Sequence, residues 1–399
     1  MLKFHARTDV GLKRKHNEDS LLAADECGVF VVADGVGGRK AGELASAITV
    51  NTFQAYASQV KEAVVAYVEA PARDTRNAVL HMLDACASAS SKKVYEAAQA
   101  TGRQGMTTTL VAAVVGGGGA FIAHVGDSRC YLVRDSKLRQ LTEDHSMVNE
   151  LIRTGAMSRE EAAGSRYRNV ITRAIGLYPT VRTDLLHLDL LAGDRLVLCS
   201  DGLSDPVKPK YILRLTQREN LASAVDGLVE AALEGGGRDN ISVIAIEPEE
   251  VAEAQAVTAR AAAMERLFLF ADLPYAARLR VGRIVSEHFV SPKQVIVTQG
   301  TPGDTMYAVV QGEVSVQVDG VEVAILREGE HFGEMALVDR EPRSATIVAK
   351  GFGHLLAVEH DTFQEFCMME PTLGNQMLWK LITTLGQRLR AANLQISNR

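Results

Sequence analysis

Hydrophobic and polar positions alternate in two different ways along the first 247 residues. Short β-branched runs predict strands at 29–33, 110–115, 121–125, 130–134, 195–199 and 241–246. Two Ala-rich stretches, 42–57 and 73–100, have the longer apolar spacing of helices. This mixture indicates an α/β or α+β domain with substantial strand content.

The pattern changes after residue 247. Residues 248–267 are rich in Ala and Glu and contain no glycine, which predicts a helical connector. If helical throughout, the connector would be on the order of 30 Å long. Short alternating strands with glycine turns follow over 295–358, with helical patterns on either side. We therefore expect domains at 1–247 and 268–399, joined by a linker at 248–267.

Composition narrows the class of protein. The chain has 399 residues, 47% of them hydrophobic, and a net charge of −6, which argues against nucleic-acid and anionic-membrane partners. Five scattered cysteines fit a reducing cytoplasm better than a disulfide or zinc framework. No apolar signal core follows the N-terminus, and four glycines divide the apolar stretch at 110–125, which predicts a hairpin and not a membrane span. A cytoplasmic location is expected.

Acidic residues stand at the ends of the predicted strands. They are Glu18, Asp19, Asp34, Asp127, Asp201 and Asp239. Each one alone is explained as a turn residue or a helix N-cap. If they converge, however, burying their charges together is costly unless a cation compensates them. Oxygen ligands without clustered His or Cys point to Mg²⁺ or Mn²⁺.

The order of the motifs around these acids resembles the bacterial branch of the metal-dependent protein phosphatases of type 2C. The resemblance covers residues 4–247, and seven motifs in sequence make it specific. They are RKHNEDS at 14–20, VADGVGG at 32–38, GMTTT at 105–109, VGDSR at 125–129, LTEDHS at 141–146, CSDGL at 199–203 and GRDN at 237–240.

The resemblance implies a β-sandwich flanked by helices and a centre of two metal ions. In that centre Asp34 would bridge both ions, and Asp201 and Asp239 would complete the shell of one. Glu18 and the carbonyl of Gly35 would serve the other. The two ions would activate a water for in-line attack on a phosphoserine or phosphothreonine phosphorus.

Three further residues have roles implied by the same family. Asp19 would support a bound water, and Asp127, together with Asp201, would hold a weaker third ion. Arg14 would bind the substrate phosphate, because its planar guanidinium suits that task better than a lysine. The expected substrates are proteins phosphorylated by a bacterial Ser/Thr kinase.

The chain departs from the family pattern at two places. Val36 stands where animal relatives carry a histidine proposed as the general acid, which leaves the proton donor unassigned. At 165–169 the family's His-Pro is missing. Arg166 and Arg168 there either help to recruit a phosphate or are merely solvated. The lone histidines, His145 among them, are expected to be structural or exposed.

Residues 268–393 resemble a cyclic-nucleotide-binding domain, which implies a β-roll with flanking helices. The motifs are GDTMY at 303–307, QGEV at 311–314, FGEMAL at 332–337 and PRSAT at 342–346. A domain of this kind can also keep its fold and lose its ligand, but the glutamate and arginine whose loss usually marks that change are both present.

The stretch 332–345 is the part that would hold the nucleotide. Backbone N–H groups of a short helix led by Gly333, including Met335 and Ala336, would face the cyclic phosphate. Arg343 would pair with that phosphate, and Glu334 would accept a hydrogen bond from the ribose 2′-hydroxyl. Ser344 would add a hydroxyl donor; a serine there favours cyclic AMP over cyclic GMP.

The last helix carries an apolar stripe of two possible uses. It consists of Leu373, Met377, Leu381, Leu385 and Leu389, with Leu378 and Ile382 beside it. Such a stripe is either a buried face or a homodimer seam. The sequence as a whole predicts a phosphatase regulated by a cyclic nucleotide. The alternatives are a non-catalytic nucleotide-responsive scaffold, and an active phosphatase whose second domain only dimerises or docks.

Overall fold

A computed structural model describes residues 2–36, 41–165, 167 and 170–397. The chain divides into two compact units, Met1–Ala252 and Glu253–Arg399. None of the helices in the described part of the chain is both long and apolar enough to cross a membrane.

The first unit is built on two antiparallel sheets. Its strands are β1 (Lys3–Asp9), β2 (Asp19–Ala24), β3 (Val29–Val36), β4 (Thr107–Thr108), β5 (Leu110–Gly116), β6 (Gly119–Val125), β7 (Arg129–Arg134), β8 (Lys137–Gln140), β9 (Asp184–Asp189), β10 (Arg195–Cys199) and β11 (Ile241–Glu247). One sheet has the order β1-β11-β10-β7-β8 and the other β2-β3-β5-β6-β9, with β4 pairing to β3.

Helices cover the outer faces of both sheets. They are α1 (Ala41–Glu69), α2 (Arg73–Thr101), α3 (Met147–Arg153), α4 (Arg159–Ala163), α5 (Asp201–Ser204), α6 (Pro209–Thr216) and α7 (Leu221–Glu234). The pair α1 and α2 packs on the β3-containing sheet, while α6 and α7 share a core with β10 and β11. The four layers form the expected α-β-β-α sandwich.

Burial on both faces explains why the central strands are continuously apolar. Along β3, Val29, Val31 and Ala33 pack under α1 and α2, while the intervening Phe30 and Val32 are also fully buried. All six predicted strands are confirmed, and Gly116 pairs with Gly119 across the predicted hairpin. Helix α1 extends to Glu69, beyond the predicted end, since Val60 and Val64 continue its buried face.

The second unit has two four-stranded antiparallel sheets that form a β-roll, with helices around it. Its strands are β12 (Val285–Val290), β13 (Val295–Val297), β14 (Thr305–Gln311), β15 (Val314–Val318), β16 (Val321–Leu326), β17 (His331–Phe332), β18 (Thr346–Ala349) and β19 (Gly353–Glu359). Its helices are α8 (Ala254–Arg266), α9 (Tyr275–Val281), α10 (His360–Met369) and α11 (Pro371–Ser397). The sheet orders are β12-β19-β14-β17 and β13-β18-β15-β16.

The segment predicted as a connector is helical only over Ala254–Arg266; residues 248–253 form no helix. Its last turn carries Ala263 and Met264, which are buried in the same core as Phe363 and Met377. That turn is therefore fixed by apolar packing within the second unit. The domain boundaries proposed from the sequence remain a prediction.

The apolar stripe of the last helix divides into a buried part and an exposed part. Leu373, Met377 and Leu381 lie in the core of the second unit, and Leu385 is partly buried. Leu389 is 63% exposed. The first half of the stripe is thus a buried face, which is one of the two uses expected for it.

Candidate active site and nucleotide site

Two acidic residues meet where β2 begins and β3 ends. The strands pair with Asp19 directly opposite Asp34. Side chains opposite each other in an antiparallel pair have their Cβ atoms about 4.5–5.5 Å apart. Glu18 precedes Asp19, and its carbonyl accepts a hydrogen bond from the N–H of Gly35 at 3.2 Å. The turn before β2 therefore places Glu18 beside Gly35.

Three more acids approach from the ends of other strands. Asp127 follows β6, Asp201 begins α5 directly after β10, and Asp239 stands just before β11. The carboxyl of Asp34 is within hydrogen-bonding reach of those of Asp19 and Asp201. It also lies in the field of Asp127 and Asp239. The structure therefore gathers the acidic residues that the sequence singled out.

Crowding makes these carboxyls hard to ionise together. Burial raises the pKa of Asp34 well above its usual range, and four neighbouring aspartates raise it further. Burial, followed by the fields of Asp127 and Asp239, raises the pKa of Asp201 to about 8. Burial likewise raises the pKa of Asp19 and of Asp127 to about 6. Near neutral pH, a positive ion or shared protons must compensate the cluster.

Two carboxyl oxygens show that the donor set suits a hard cation. Oδ1 of Asp19 and Oδ1 of Asp201 are buried, and neither accepts a hydrogen bond. An orphaned carboxylate oxygen among other oxygens is the type of ligand that Mg²⁺ and Mn²⁺ prefer. Within the described residues, no three His, Cys, Asp or Glu side chains are arranged as a group that could hold a metal ion as they stand. The residues fit these ions by the chemistry of their oxygen atoms.

Because Gly35 and Gly42 have no side chains, the backbone of α1 can lie close to Glu18 and to the Gly35 carbonyl. A Cβ atom added to Gly42 would lie 2.6 Å from the carbonyl oxygen of Gly35 and 2.8 Å from Oε2 of Glu18. The two oxygens therefore border the same small space at the first turn of α1, and only a glycine at 42 leaves it open. These oxygens are the ligands predicted for the second ion.

Arg14 lies beside the cluster and is half exposed. Its Nη2 atom donates to Oδ2 of Asp239 at 2.7 Å. Burial opposes the charge on Arg14, but the hydrogen bond to Asp239 and the fields of Asp239, Glu18 and Asp34 outweigh it, so its pKa is raised. The guanidinium is thus held next to the predicted metal ligands, with surface left for an anion.

Asn240 organises the loop that carries Glu18, a role that the sequence reasoning missed. Its Nδ2 donates to the carbonyls of Val10 and His16 at 3.0 Å each, and its Oδ1 accepts from the N–H of Glu18 at 2.8 Å. The side chain is buried, and it therefore ties the N-terminal loop to the residue after Asp239. The available signal was a polar residue at a fixed place in the GRDN motif.

Small hydroxyl side chains hold the backbone and carboxyl groups of the acids in the same way. Ser200 Oγ donates to Oδ2 of Asp19 at 2.9 Å. Thr109 Oγ1 accepts from the N–H of Asp34 at 3.0 Å, and Thr108 Oγ1 donates to the Asp34 carbonyl at 2.8 Å. The GMTTT and CSDGL motifs therefore position the two central aspartates.

Some sequence predictions cannot be placed. Gly37 and Gly38 of the VADGVGG motif, and the two arginines at 166 and 168, lie outside the described residues. Val36, where animal relatives carry a histidine, is 39% exposed next to Gly35.

In the second unit, Arg343 lies against backbone that only glycines permit. Its Nη2 donates to the Thr305 carbonyl at 2.7 Å. A Cβ atom on Gly303 would be 2.7 Å from its Nε, and one on Gly333 would be 2.6 Å from its Nη1. Burial lowers the pKa of Arg343, partly offset by Tyr307 and Asp304. The guanidinium is held in place with its Nη1 beside Gly333.

Glu334 is buried and bonded to the last helix. Its Oε1 accepts a hydrogen bond from Arg388 of α11, while its Oε2 is buried without a hydrogen-bond partner. Arg388 also lies 3.1 Å from Nε2 of His331. The carboxylate predicted to bind a ribose is therefore linked to the C-terminal helix.

The other three predicted nucleotide contacts differ in exposure. Met335 is 55% exposed, and Ser344 is also exposed. Ala336 is buried, and its N–H donates to the Gly333 carbonyl at 3.1 Å within the short 3₁₀ turn Glu334–Leu337. The turn lies beside the Arg343 guanidinium. The N–H of Ala336 is already bonded within the turn, to the carbonyl of Gly333.

The raised pKa values predict how stability depends on pH when divalent ions are chelated. In the folded chain the pKa of Asp19 and of Asp127 is about 6 and that of Asp201 is about 8, against an ordinary aspartate pKa of 3.8. Their contribution to stability is therefore fully present below about pH 4 and is lost as the pH rises through 6 to 8. We expect the melting temperature in EDTA to fall by several degrees between pH 5 and 8.5.

Calorimetry with saturating Mn²⁺ is the matched measurement, because the ion replaces the protons as compensating charge. The fall in melting temperature between pH 5 and 8.5 should then largely disappear. In EDTA, an Asp201→Asn variant should show a smaller fall in melting temperature than the parent. A melting temperature in EDTA that stays constant or rises over this range would contradict the account of a crowded cluster.

Replacing Asn240 should weaken the first unit, since three backbone groups lose their bonds to a buried side chain. We expect Asn240→Ala to lower the free energy of unfolding by about 2–4 kcal/mol. Urea unfolding measures it, with the exposed Asn51→Ala as the control, expected to stay within about 0.5 kcal/mol. A loss for Asn240→Ala no greater than that of the control would show that the side chain does not tie the loop.

Comparison with known proteins identifies both parts of the chain. Residues 13–237 match the family model of protein phosphatase 2C, and residues 287–370 match that of the cyclic nucleotide-binding domain. The serine/threonine protein phosphatase PstP of Mycobacterium tuberculosis is 37% identical over 249 residues, 61% of this chain. This alignment spans only 44% of PstP. The serine/threonine phosphatase stp of Listeria innocua is 36% identical over 60% of this chain and 94% of its own length.

Solved structures agree with these sequence relatives. A crystal structure of the M. tuberculosis phosphatase PstP/Ppp superposes with a TM-score of 0.55 and 35% identity, covering 62% of this chain and 99% of that one. The catalytic domain of PstP in complex with two manganese ions has a TM-score of 0.53 at 34% identity, covering 62% and 97%. The chain belongs to the protein phosphatase 2C family and carries a cyclic nucleotide-binding domain in its second unit.

Proposed function

We propose that the chain hydrolyses phosphoserine and phosphothreonine in proteins with Mn²⁺ or Mg²⁺, and that a cyclic nucleotide bound to its second unit regulates this activity. The observation that carries the first part is the group of carboxyls around Asp34; burial raises the pKa values of Asp19, Asp34 and Asp201, and neighbouring carboxylates raise them further. A scaffold has no use for such a destabilising cluster. The similarity to PstP, whose catalytic domain has been solved with two manganese ions, supports the choice of metal.

Each acid in the cluster has a proposed task as a ligand. Asp34 would contact both ions, Asp201 and Asp239 one of them, and Glu18 with the Gly35 carbonyl the other. Asp127 and Asp201 would hold a weaker third ion. When bound, the ions supply charge compensation and a water of lowered pKa. Asp19, which accepts a hydrogen bond from Ser200, would support a bound water.

Arg14 is the proposed contact for the substrate phosphate. Its hydrogen bond to Asp239 holds the guanidinium beside the cluster, and half of its surface remains accessible. A phosphate entering the site can therefore accept from nitrogen atoms of Arg14 other than the Nη2 bonded to Asp239. Val36 has no group to donate a proton to the leaving serine or threonine oxygen, so that proton must come from another donor.

Nucleotide regulation is proposed from the surroundings of two residues in the second unit. Arg343 would pair with the cyclic phosphate beside Gly333, and Glu334 would bind the ribose 2′-hydroxyl. Oε1 of Glu334 bonds to Arg388 of α11 while its Oε2 has no partner, so a ribose hydroxyl that donates to this carboxylate would share it with Arg388. Ligand binding would thereby change what holds the C-terminal helix. Cyclic AMP is favoured over cyclic GMP because position 344 is a serine.

The remaining proposals concern partners and location. The exposed part of α11, with Trp379 69% and Ile382 57% exposed, would pair with a second copy of the chain. Phosphoproteins made by a bacterial Ser/Thr kinase are the proposed substrates. The cytoplasmic location expected from the cysteines also remains a prediction.

Replacing Asp34 by asparagine removes the central negative charge of the cluster. Asp34→Asn should reduce kcat/KM for a phosphothreonine peptide with Mn²⁺ on the order of 10²–10³-fold, as losing one major electrostatic contributor does. It should also raise the melting temperature in EDTA, because a neutral amide ends the repulsion within the cluster. Activity and stability must therefore change in opposite directions.

The control for this variant is Asp226→Asn, a change on α7 that affects only an ion pair with Arg7. It should keep the parent's activity. A parent chain that shows no hydrolysis with either metal would favour the non-catalytic scaffold, and an Asp34→Asn variant as active as the parent would overturn the assigned site.

Replacing Arg343 tests the proposed binding of a cyclic nucleotide to the second unit. Arg343→Ala should raise the Kd for cyclic AMP about 10- to 100-fold, because a hydrogen-bonded charge pair is lost. Isothermal titration calorimetry with cyclic AMP and cyclic GMP measures it. Arg340→Ala, three residues away in the same loop, is the control and should leave the Kd unchanged.

Hydrolysis by the parent chain with and without nucleotide completes this test. A change in turnover that is absent in Arg343→Ala would support regulation through this site. Binding without any effect on turnover, or no binding at all, would favour the alternative in which the second domain only dimerises or docks.

A further inference from the structure

His145 and Gly126 hold one another by two hydrogen bonds. The N–H of Gly126 donates to Nδ1 of His145 at 3.0 Å, and the N–H of His145 donates to the Gly126 carbonyl at 2.7 Å. Gly126 has a left-handed backbone with φ of +109° and directly precedes Asp127. Both backbone polar groups of Gly126, its N–H and its carbonyl, are therefore bonded to His145.

These contacts decide which ring nitrogen of His145 carries the hydrogen. Because Nδ1 accepts from Gly126, the neutral ring must carry its hydrogen on Nε2. Nε2 lies 3.2 Å from Oδ2 of Asp184, so it donates to that carboxylate. Arg173 Nη1 donates to the other Asp184 oxygen at 2.6 Å. Nη1 is also 3.0 Å from Nε2, but both atoms carry hydrogens in this tautomer, so the productive bond is to Asp184.

The same histidine lies where two distant segments meet. Its carbonyl accepts from the N–H of Thr172 at 2.8 Å, and Ser146 bridges to Ile171. His145 and Asp184 are each 8% exposed on their side chains. A buried chain of contacts therefore runs from Asp184 and residues 171–173, through the imidazole, to the peptide before Asp127.

We propose that His145 is a positioning residue for Asp127, held in the required tautomer by Asp184. This inference rests on the proposed function, in which Asp127 helps to hold the weaker third ion. A ligand carboxylate needs a fixed backbone, and groups that orient ligands typically change metal affinity or activity by about 10- to 100-fold when they are removed. The sequence alone favoured a purely structural histidine at this place.

The test compares two substitutions of His145 in the full chain. His145→Leu removes the acceptor for the Gly126 N–H, whereas His145→Asn keeps a side-chain oxygen near the position of Nδ1. We expect His145→Leu to weaken the binding of the weakest Mn²⁺ about 10- to 100-fold, while the tighter ions bind as in the parent. His145→Asn should recover most of that loss. Mn²⁺ titration followed by electron paramagnetic resonance counts and ranks the bound ions without requiring turnover.

Turnover provides a second, separable readout. In His145→Leu, the Mn²⁺ concentration for half-maximal hydrolysis should rise by the same factor, with KM for the peptide unchanged. The control is His187→Leu, which replaces another buried histidine, on β9, opposite Phe121 and away from Asp127. If the parent binds Mn²⁺ but does not hydrolyse, the proposed function fails while the titration still tests the positioning role.

Asp184→Asn covers the case in which His145→Leu fails to fold. Its amide presents a donor to Nε2 and so favours the wrong tautomer, which should weaken the last Mn²⁺ in the same direction. The proposal is overturned if His145→Leu or Asp184→Asn binds every Mn²⁺ as the parent does. It is equally overturned if His187→Leu loses the same ion, or if His145→Asn recovers nothing.

Discussion

The repulsion among the carboxyls around Asp34 is the constraint on which the first unit depends. Five aspartates reach this place from the ends of strands in two different sheets, and burial raises the pKa of Asp34 together with those of Asp19, Asp127 and Asp201. A fold that brings like charges together gives up stability at neutral pH unless a cation joins them. The same arrangement that we expect to weaken the chain in EDTA is the one proposed to bind divalent ions.

Small polar side chains keep the acids in register despite that repulsion. Asn240 ties the N-terminal loop, Ser200 holds Asp19, and Thr109 fixes the backbone of Asp34. His145 does the same for the peptide before Asp127. Each of these groups acts on a backbone atom or on a carboxyl oxygen of the acids. This explains why the motifs extend for several residues around each acid.

The second unit uses a different balance of charges. Arg343 is half-buried and bonded to a backbone carbonyl, while Glu334 is buried and bonded to Arg388 of the last helix. A charged pair that joins a binding turn to a helix can transmit ligand binding as a change in helix contacts. The coupling free energy available to such changes is typically about 1–3 kcal/mol. The same helix also has exposed apolar residues, Trp379 and Ile382, whose contacts would be altered by a shift of the helix.

Hydrophobic spacing by itself determined six of the eleven strands described in the first unit and its two long helices, because a buried face forces a periodic pattern. The order of the motifs determined the family, and it also pointed to the acids. Only the tertiary structure decided that Asn240 bonds to the N–H of Glu18 and His145 to the N–H of Gly126, since these partners lie 222 and 19 residues away in sequence. It also decided that Arg14 pairs with Asp239 and Glu334 with Arg388, and that only part of the connector is helical. Periodicity reports which residues are buried, whereas hydrogen bonds between distant segments arise only once the sheets have brought them together.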